Sequence, residues 1–110
     1  MGALIPPAGL RRLMRMLFTS RETLIDDGTL LLPPITNGAF GFIMAGADEE
    51  RCLFSVDSSG NVFPLLSSAN VVVNADTDAC LCIGTSVATT LTIKNRLGSS
   101  KSIMIIFWYT

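Results

Sequence analysis

From Glu22 onward, apolar residues fall at every second position or in short unbroken runs. Gly, Pro, Asn and Asp break these runs about every ten positions, the mark of short strands joined by tight turns. "ETLIDDGTLLLPPI" reads as two extended runs around the turn pair Asp27-Gly28, the second ended by Pro33-Pro34. "GAFGFIMAGA" is an apolar strand opened by Asn37-Gly38. Gly41 inside it marks a bulge or a close backbone approach. "RCLFSVDSSGNVFPLL" predicts a hairpin, with Cys52, Phe54 and Val56 on one face, Arg51, Leu53 and Ser55 on the other, and Gly60 placed for positive φ. Pro64 confines the second arm to an edge. Strands follow at Val71 to Val73 and Cys80 to Ile83. "ATTLTIKN", the turn "RLGSSK" and "SIMIIFWYT" then predict a last hairpin. About seven to nine such strands with no helical pattern between them predict an all-β fold, a small antiparallel, jelly-roll-like β-sandwich.

The first twenty-one residues follow another period. In "AGLRRLMRMLF", residues 8–18, Leu10, Leu13, Met14 and Leu17 share one side of a helix and Arg11, Arg12 and Arg15 the other, with Pro7 suited to its first turn. Residues 1–21 thus read as a basic amphipathic attachment helix and residues 22–110 as the β-sandwich domain. A helix of about eleven residues is marginal alone and must lie against something. Packing on its own domain or in an oligomer outweighs a membrane surface, and three arginines without interleaved aromatics are too thin a footprint for nucleic acid.

The 110 residues are 49% apolar and 15% charged, with a formal net charge of −1, so there is less polar surface than a lone domain usually carries. Self-association follows as an expectation. The charge is segregated into a basic head, an acidic body and a weakly basic last hairpin. No apolar run reaches the ~18–20 residues of a membrane span. The N-terminal pattern, broken by Pro6, Pro7 and arginines, lacks an uninterrupted signal core, so the chain reads as made in the cytoplasm without an export signal. Three cysteines form no disulfide framework and read as buried thiols.

Histidine is absent, and with it the commonest general base and metal ligand. Asn74, Asp76 and Asp78 in "NADTD" alternate like the first half of a calcium loop. Ala79 and Thr85 stand where that loop needs Gly and Glu, so a solvated turn is the stronger reading and a cation site completed by another loop the weaker. Asp26-Asp27 and the "DEE" at 48–50 read as loop charge. No serine has an evident base and no glycine loop precedes a helix, so neither an enzyme nor a cofactor is expected. Phe40, Phe42, Phe54, Phe63, Phe107, Trp108 and Tyr109 read mainly as core or subunit interface, with Trp108 the candidate glycan contact.

The run Ile103 to Tyr109 lacks alternation, which predicts that both its faces are covered. One face belongs to the domain's core and the other to a neighbouring subunit. The expected oligomer interface is Leu10, Leu13, Met14 and Leu17 with Ile103, Ile105, Phe107 and Tyr109.

The "SGNV" hairpin, the "NADTDACLCI" strand pair, the "TIKNRLG" turn and the closing apolar strand give residues 22–110 a style that resembles the β-rich domains of bacteriophage fibre and other virion appendage proteins. The resemblance implies a non-enzymatic virion structural protein, a fibre, tail-tip or head-decoration module. It would form a homotrimer, bind other virion proteins and contact host-surface carbohydrate. The chain lacks the coiled-coil or collagen-like shaft of a whole fibre, and its first segment is not a sustained heptad. A carbohydrate-binding module and a membrane-active protein working through residues 8–18 are the alternatives.

Overall fold

The computed structural model describes residues 16–46, 50–87 and 90–110, and within them the chain is all β. Nine strands follow one another: β1 (Leu17–Leu24), β2 (Thr29–Leu31), β3 (Ala39–Ala45), β4 (Glu50–Val56), β5 (Val62–Ser67), β6 (Val71–Val73), β7 (Leu81–Val87), β8 (Thr90–Asn95) and β9 (Lys101–Tyr109). They form a five-stranded sheet in the order β1-β9-β3-β4-β5 and a four-stranded sheet in the order β2-β8-β7-β6. The inner faces share one apolar core, with Ile43, Phe54, Ile103, Ile105 and Phe107 from the first sheet and Leu81, Ile83, Leu91 and Ile93 from the second, all 0 % exposed. The arrangement is sandwich-like.

The alternation read from "RCLFSV" is the one observed: Cys52, Phe54 and Val56 are buried and Leu53 and Ser55 face outward. The β4–β5 turn is held by Asp57, whose Oδ1 accepts the Ser59 and Asn61 amides at 2.9 Å each, while Gly60 takes φ 88°. Pro64 lies on an edge strand as expected, beside a bulge in which Leu65 has no partner on β4. Gly41 is a close approach. It pairs with Phe54 on one side and Phe107 on the other, and a Cβ there would lie 2.5 Å from Phe54 Cζ. The missing side chain is the space the Phe54 ring occupies, 6.3 Å from the ring of Phe107.

Three expectations change. The helix of residues 8–18 lies outside the described residues up to residue 15, and Leu17 and Phe18 belong to β1, paired with Trp108 and Phe107. "SIMIIFWYT" does not fold back on "TLTIKN". β9 pairs with β1 and β3, β8 with β2 and β7, and residues 96–100 carry the chain from one sheet to the other. The sheets are not wholly antiparallel either, because β6 and β7 run parallel with only residues 74–80 between them. Positive φ at Asn74 (58°) and Ala79 (65°) turns that short connection. It lies over the outer face of β7, where Thr77 N–H donates to Cys82 Sγ and Sγ donates to Thr77 O, both at 3.4 Å. Gly84 leaves room beneath it, its Cβ position being 3.5 Å from Asn74 Cα.

The chain changes sheets four times, and polar groups fasten each corner. Asn95, 0 % exposed, holds two of them at once. Its Nδ2 donates to Leu24 O at 3.0 Å, Ile25 O at 3.2 Å and Ser99 O at 2.9 Å, and its Oδ1 accepts Leu97 N–H at 3.0 Å. Its backbone N–H donates to Gly28 O, and its carbonyl accepts Asp27 N–H. The β1–β2 and β8–β9 corners are thereby one unit. Buried Glu50 holds the β5–β6 corner, accepting Ser68 Oγ at 2.7 Å and the Asn70 amide and side chain at 3.1 and 3.2 Å. Asn74 joins β6 to β5 through both Val62 backbone groups, at 3.0 and 2.8 Å. At the β2–β3 corner, Thr110 O accepts Thr36 and Asn37 N–H, and Thr110 N–H donates to Gly38 O.

Asn95→Asp replaces the donor facing three carbonyls with an acceptor. Loss of about 3 kcal/mol or more is expected by denaturant titration, since each buried unsatisfied group costs ~1–3 kcal/mol. Gly41→Val should lose about 1–3 kcal/mol through overpacking against Phe54, with Gly41→Ala intermediate.

Candidate functional site

Because β9 is apolar from Ile103 to Tyr109, burying its odd positions leaves apolar even ones on the other face of the sheet. Met104, Ile106 and Trp108 therefore point outward, and pairing aligns them with Met44, Phe42 and Phe40 of β3. The rows continue sideways. Leu17 lies next to Trp108, and Phe40 leads through Ser55 to Phe63. Phe42 leads through Leu53 to Leu66. Leu17, Phe40, Phe63, Leu66, Ile106 and Trp108 are each 46–72 % exposed, while Phe42, Met44, Leu53 and Met104 are half-buried. Arg21 opposite Met104 and Arg51 opposite Met44 bound the patch at one end. A shallow depression of about 500 Å³ opens between Phe42, Leu53 and Leu66.

The interface expected from sequence divides between the two faces. Ile103, Ile105 and Phe107 lie in the protomer's own core at 0 % exposure, so they cannot meet a neighbour. Tyr109 is half-buried and stacked on Phe107 at 5.8 Å. Leu17 is on the outer patch; Leu10, Leu13 and Met14 lie outside the described residues. Trp108, the glycan candidate, is half exposed beside Phe40 and Leu17. The sequence reading placed Ile103, Ile105, Phe107 and Tyr109 at an interface, whereas the outward apolar residues of β9 are Met104, Ile106 and Trp108. The outward members Met104 and Ile106 alternate with the core residues and carry no separate signal; only the register against β3 distinguishes them.

The polar surface of the other sheet is organised around Arg96. Its Nη1 bonds Asp76 at 2.8 Å, Nε bonds Asp27 at 3.3 Å, and Nη2 lies 3.6 Å from Asp78, while Lys94 reaches Asp76 at 3.1 Å. Hydrogen bonds from Arg96 and then Lys94 hold the Asp76 carboxyl below its ordinary pKa, and Asp76 in turn raises that of Arg96. Asn74, Asp76 and Asp78 do not converge on a cation position. The Asn74 amide is engaged by Val62, and the two carboxylates face Arg96 and Lys94. Among the described residues no set of three or more His, Cys, Asp or Glu is placed to hold a metal ion, and no helix is long and apolar enough to cross a membrane. An open groove of about 530 Å³ lies between Asn74, Asp76, Asn61, Thr92 and Lys94. Cys52 and Cys82 are buried free thiols, and burial pushes both up from the usual thiol pKa; Cys80 is half-buried.

Comparison with protein-family models, curated proteins and solved structures finds no match to this chain.

Asp76 has a depressed pKa in the folded state, so its ion pairs stabilise above the unfolded carboxylate value of ~3.9 and fade as pH falls through the folded one. Asp76→Asn should accordingly be less stable than the parent at pH 7. The difference should shrink when melting is followed below about pH 4 and should also shrink with added salt.

Proposed function

We propose that this protein is a non-enzymatic structural module that self-associates through the outer face of the five-stranded sheet. Its ten large apolar side chains form one continuous patch, six of them 46–72 % exposed, and large contiguous apolar patches on a protein surface mark interaction sites. This apolar face is the observation that carries the reading. The resemblance to phage fibre and virion appendage domains supplies the setting: a module of a virion surface, trimeric and in contact with other virion proteins. A jelly-roll-like winding accords with it, because the β1–β2 ribbon lies along the β9–β8 ribbon across both sheets.

A second reading, contact with host-surface carbohydrate, is favoured by Trp108 and Phe40. They are cross-strand partners, each about half exposed, of the kind that stacks on the apolar side of a sugar ring. A glycan array probed with the protein and with Trp108→Ala tests it. Binding lost in the variant supports the reading, and an array without binders removes it.

Light scattering on a sizing column at micromolar concentration should give a mass that is a multiple of the 11.8 kDa chain. Ile106→Glu, which places a charge at the centre of the patch without touching the core, should lower that mass or yield monomer. Trp108, the chain's single tryptophan, should shift its emission to the red on dissociation. A monomeric parent protein with red emission would overturn the reading.

A further inference from the structure

The two sheets have four edges, and three are blunted. β5 carries Pro64 and the bulge at Leu65, and the Asn74 amide occupies the backbone groups of Val62. β2 and β6 have three residues each, and Pro33-Pro34 follow β2 closely. β1 is different. Its eight residues contain no Gly or Pro, and their register against β9 runs unbroken from Leu17↔Trp108 to Leu24↔Lys101. Among the described residues nothing pairs with its other side. A long regular open edge is a template for another strand.

The ladder shows which groups are open. Tyr109 N–H donates to Met16 O, so residues 16 and 109 are a hydrogen-bonded pair, and such pairs alternate along an antiparallel ladder. The even residues of β1 therefore bond to β9. Leu17, Thr19, Arg21 and Thr23 direct N–H and C=O away from the sheet.

We propose that β1 pairs antiparallel with β1 of a second copy, with the two-fold axis at Ser20. This rests on the self-association proposed above and adds a second, edge-to-edge contact to it. In this register Leu17 faces Thr23, Phe18 faces Glu22 and Thr19 faces Arg21, and seven residues of each copy engage. The outward groups form about eight backbone hydrogen bonds. Moving the register one step toward Leu24 sets Arg21 against Arg21, and two steps set Glu22 against Glu22; like charges directly opposite are unfavourable. The opposite slip pairs only Leu17 to Arg21 of the two β1 strands with each other, five residues of each instead of seven. The chosen register joins two five-stranded sheets into one of ten, and their apolar outer faces become continuous.

Thr19→Pro removes one outward N–H and leaves the β9 ladder whole, as proline on an edge strand permits. By removing the two-fold contact it should lower the mass of the parent assembly. Ser20→Cys tests the axis without a folding risk. Residues opposite each other in a non-hydrogen-bonded pair have Cα atoms ~4.5 Å apart, within disulfide range. Mild oxidation should link Ser20→Cys to its own counterpart at least about fivefold more than Thr23→Cys, which faces Leu17. Unchanged mass in Thr19→Pro, or equal crosslinking of the two cysteine variants, overturns the edge contact. If Ile106→Glu lowers the mass while Thr19→Pro does not, the face contact stands alone; the converse leaves the edge alone.

Discussion

The fold hangs on Asn95. Two sheets facing each other across side chains have no backbone hydrogen bonds between them, and their relative position is set where the chain crosses over. The two corners that Asn95 joins, Ile25 to Gly28 and Arg96 to Ser100, are far apart in sequence and lie together because β1 pairs with β9 and β2 with β8. One carboxamide supplies both the donors and the acceptor such a junction needs, inside a site closed to water. An apolar residue would leave carbonyls unsatisfied, and a carboxylate would repel them. Glu50 and Asn74 do similar work at the opposite side, where β5 hands the chain to β6.

With the sheets held in this way, the five-stranded one is left in an asymmetric position. Its inner face is filled by Phe54, Phe107 and the isoleucines of β3 and β9. Its outer face repeats nearly the same chemistry with nothing of its own chain, among the described residues, laid over it. The other sheet is finished differently. Its outer side is crossed by the 74–80 connection and dressed with Arg96, Lys94 and their carboxylate partners. One outer face is therefore polar and ion-paired, and the other is apolar.

Strand existence was legible wherever the period was clear. The β4–β5 hairpin followed from alternation plus "DSSGN", while Gly41 left open a weakened strand, a bulge or a close approach, and the Phe54 ring decides for the last. Pairing was not legible in the same way. "RLGSSK" has the composition of a hairpin turn, yet Asn95 Oδ1 draws the Leu97 amide inward and the chain leaves for the other sheet, a distinction that composition does not encode. The parity of β9 was hidden for a related reason. The run Ile103 to Tyr109, apolar at every position, has no internal mark of which face is core, and its neighbours Gly41 and Ile43 decide it. In "NADTD" the acids were visible, but their partners, Lys94 and Arg96, lie some twenty residues away on β8 and just after it.

The place of β9 also governs the order of events during synthesis. It is the second strand of its sheet, flanked by β1 and β3, yet it is the last of the nine in chain order. Until it leaves the ribosome, β1 has no neighbour within that sheet, one side of β3 is unpaired, and the core lacks Ile103, Ile105 and Phe107. The hairpins of β3 to β5 and of β7 and β8 can form from local contacts, but β1 must wait for a partner whose pairing closes a loop of 76 residues even at its nearest pair, Leu24↔Lys101, a slow step on entropic grounds. In the nascent chain, then, apolar β3 is the strand most in need of protection until the ninth strand completes the sheet.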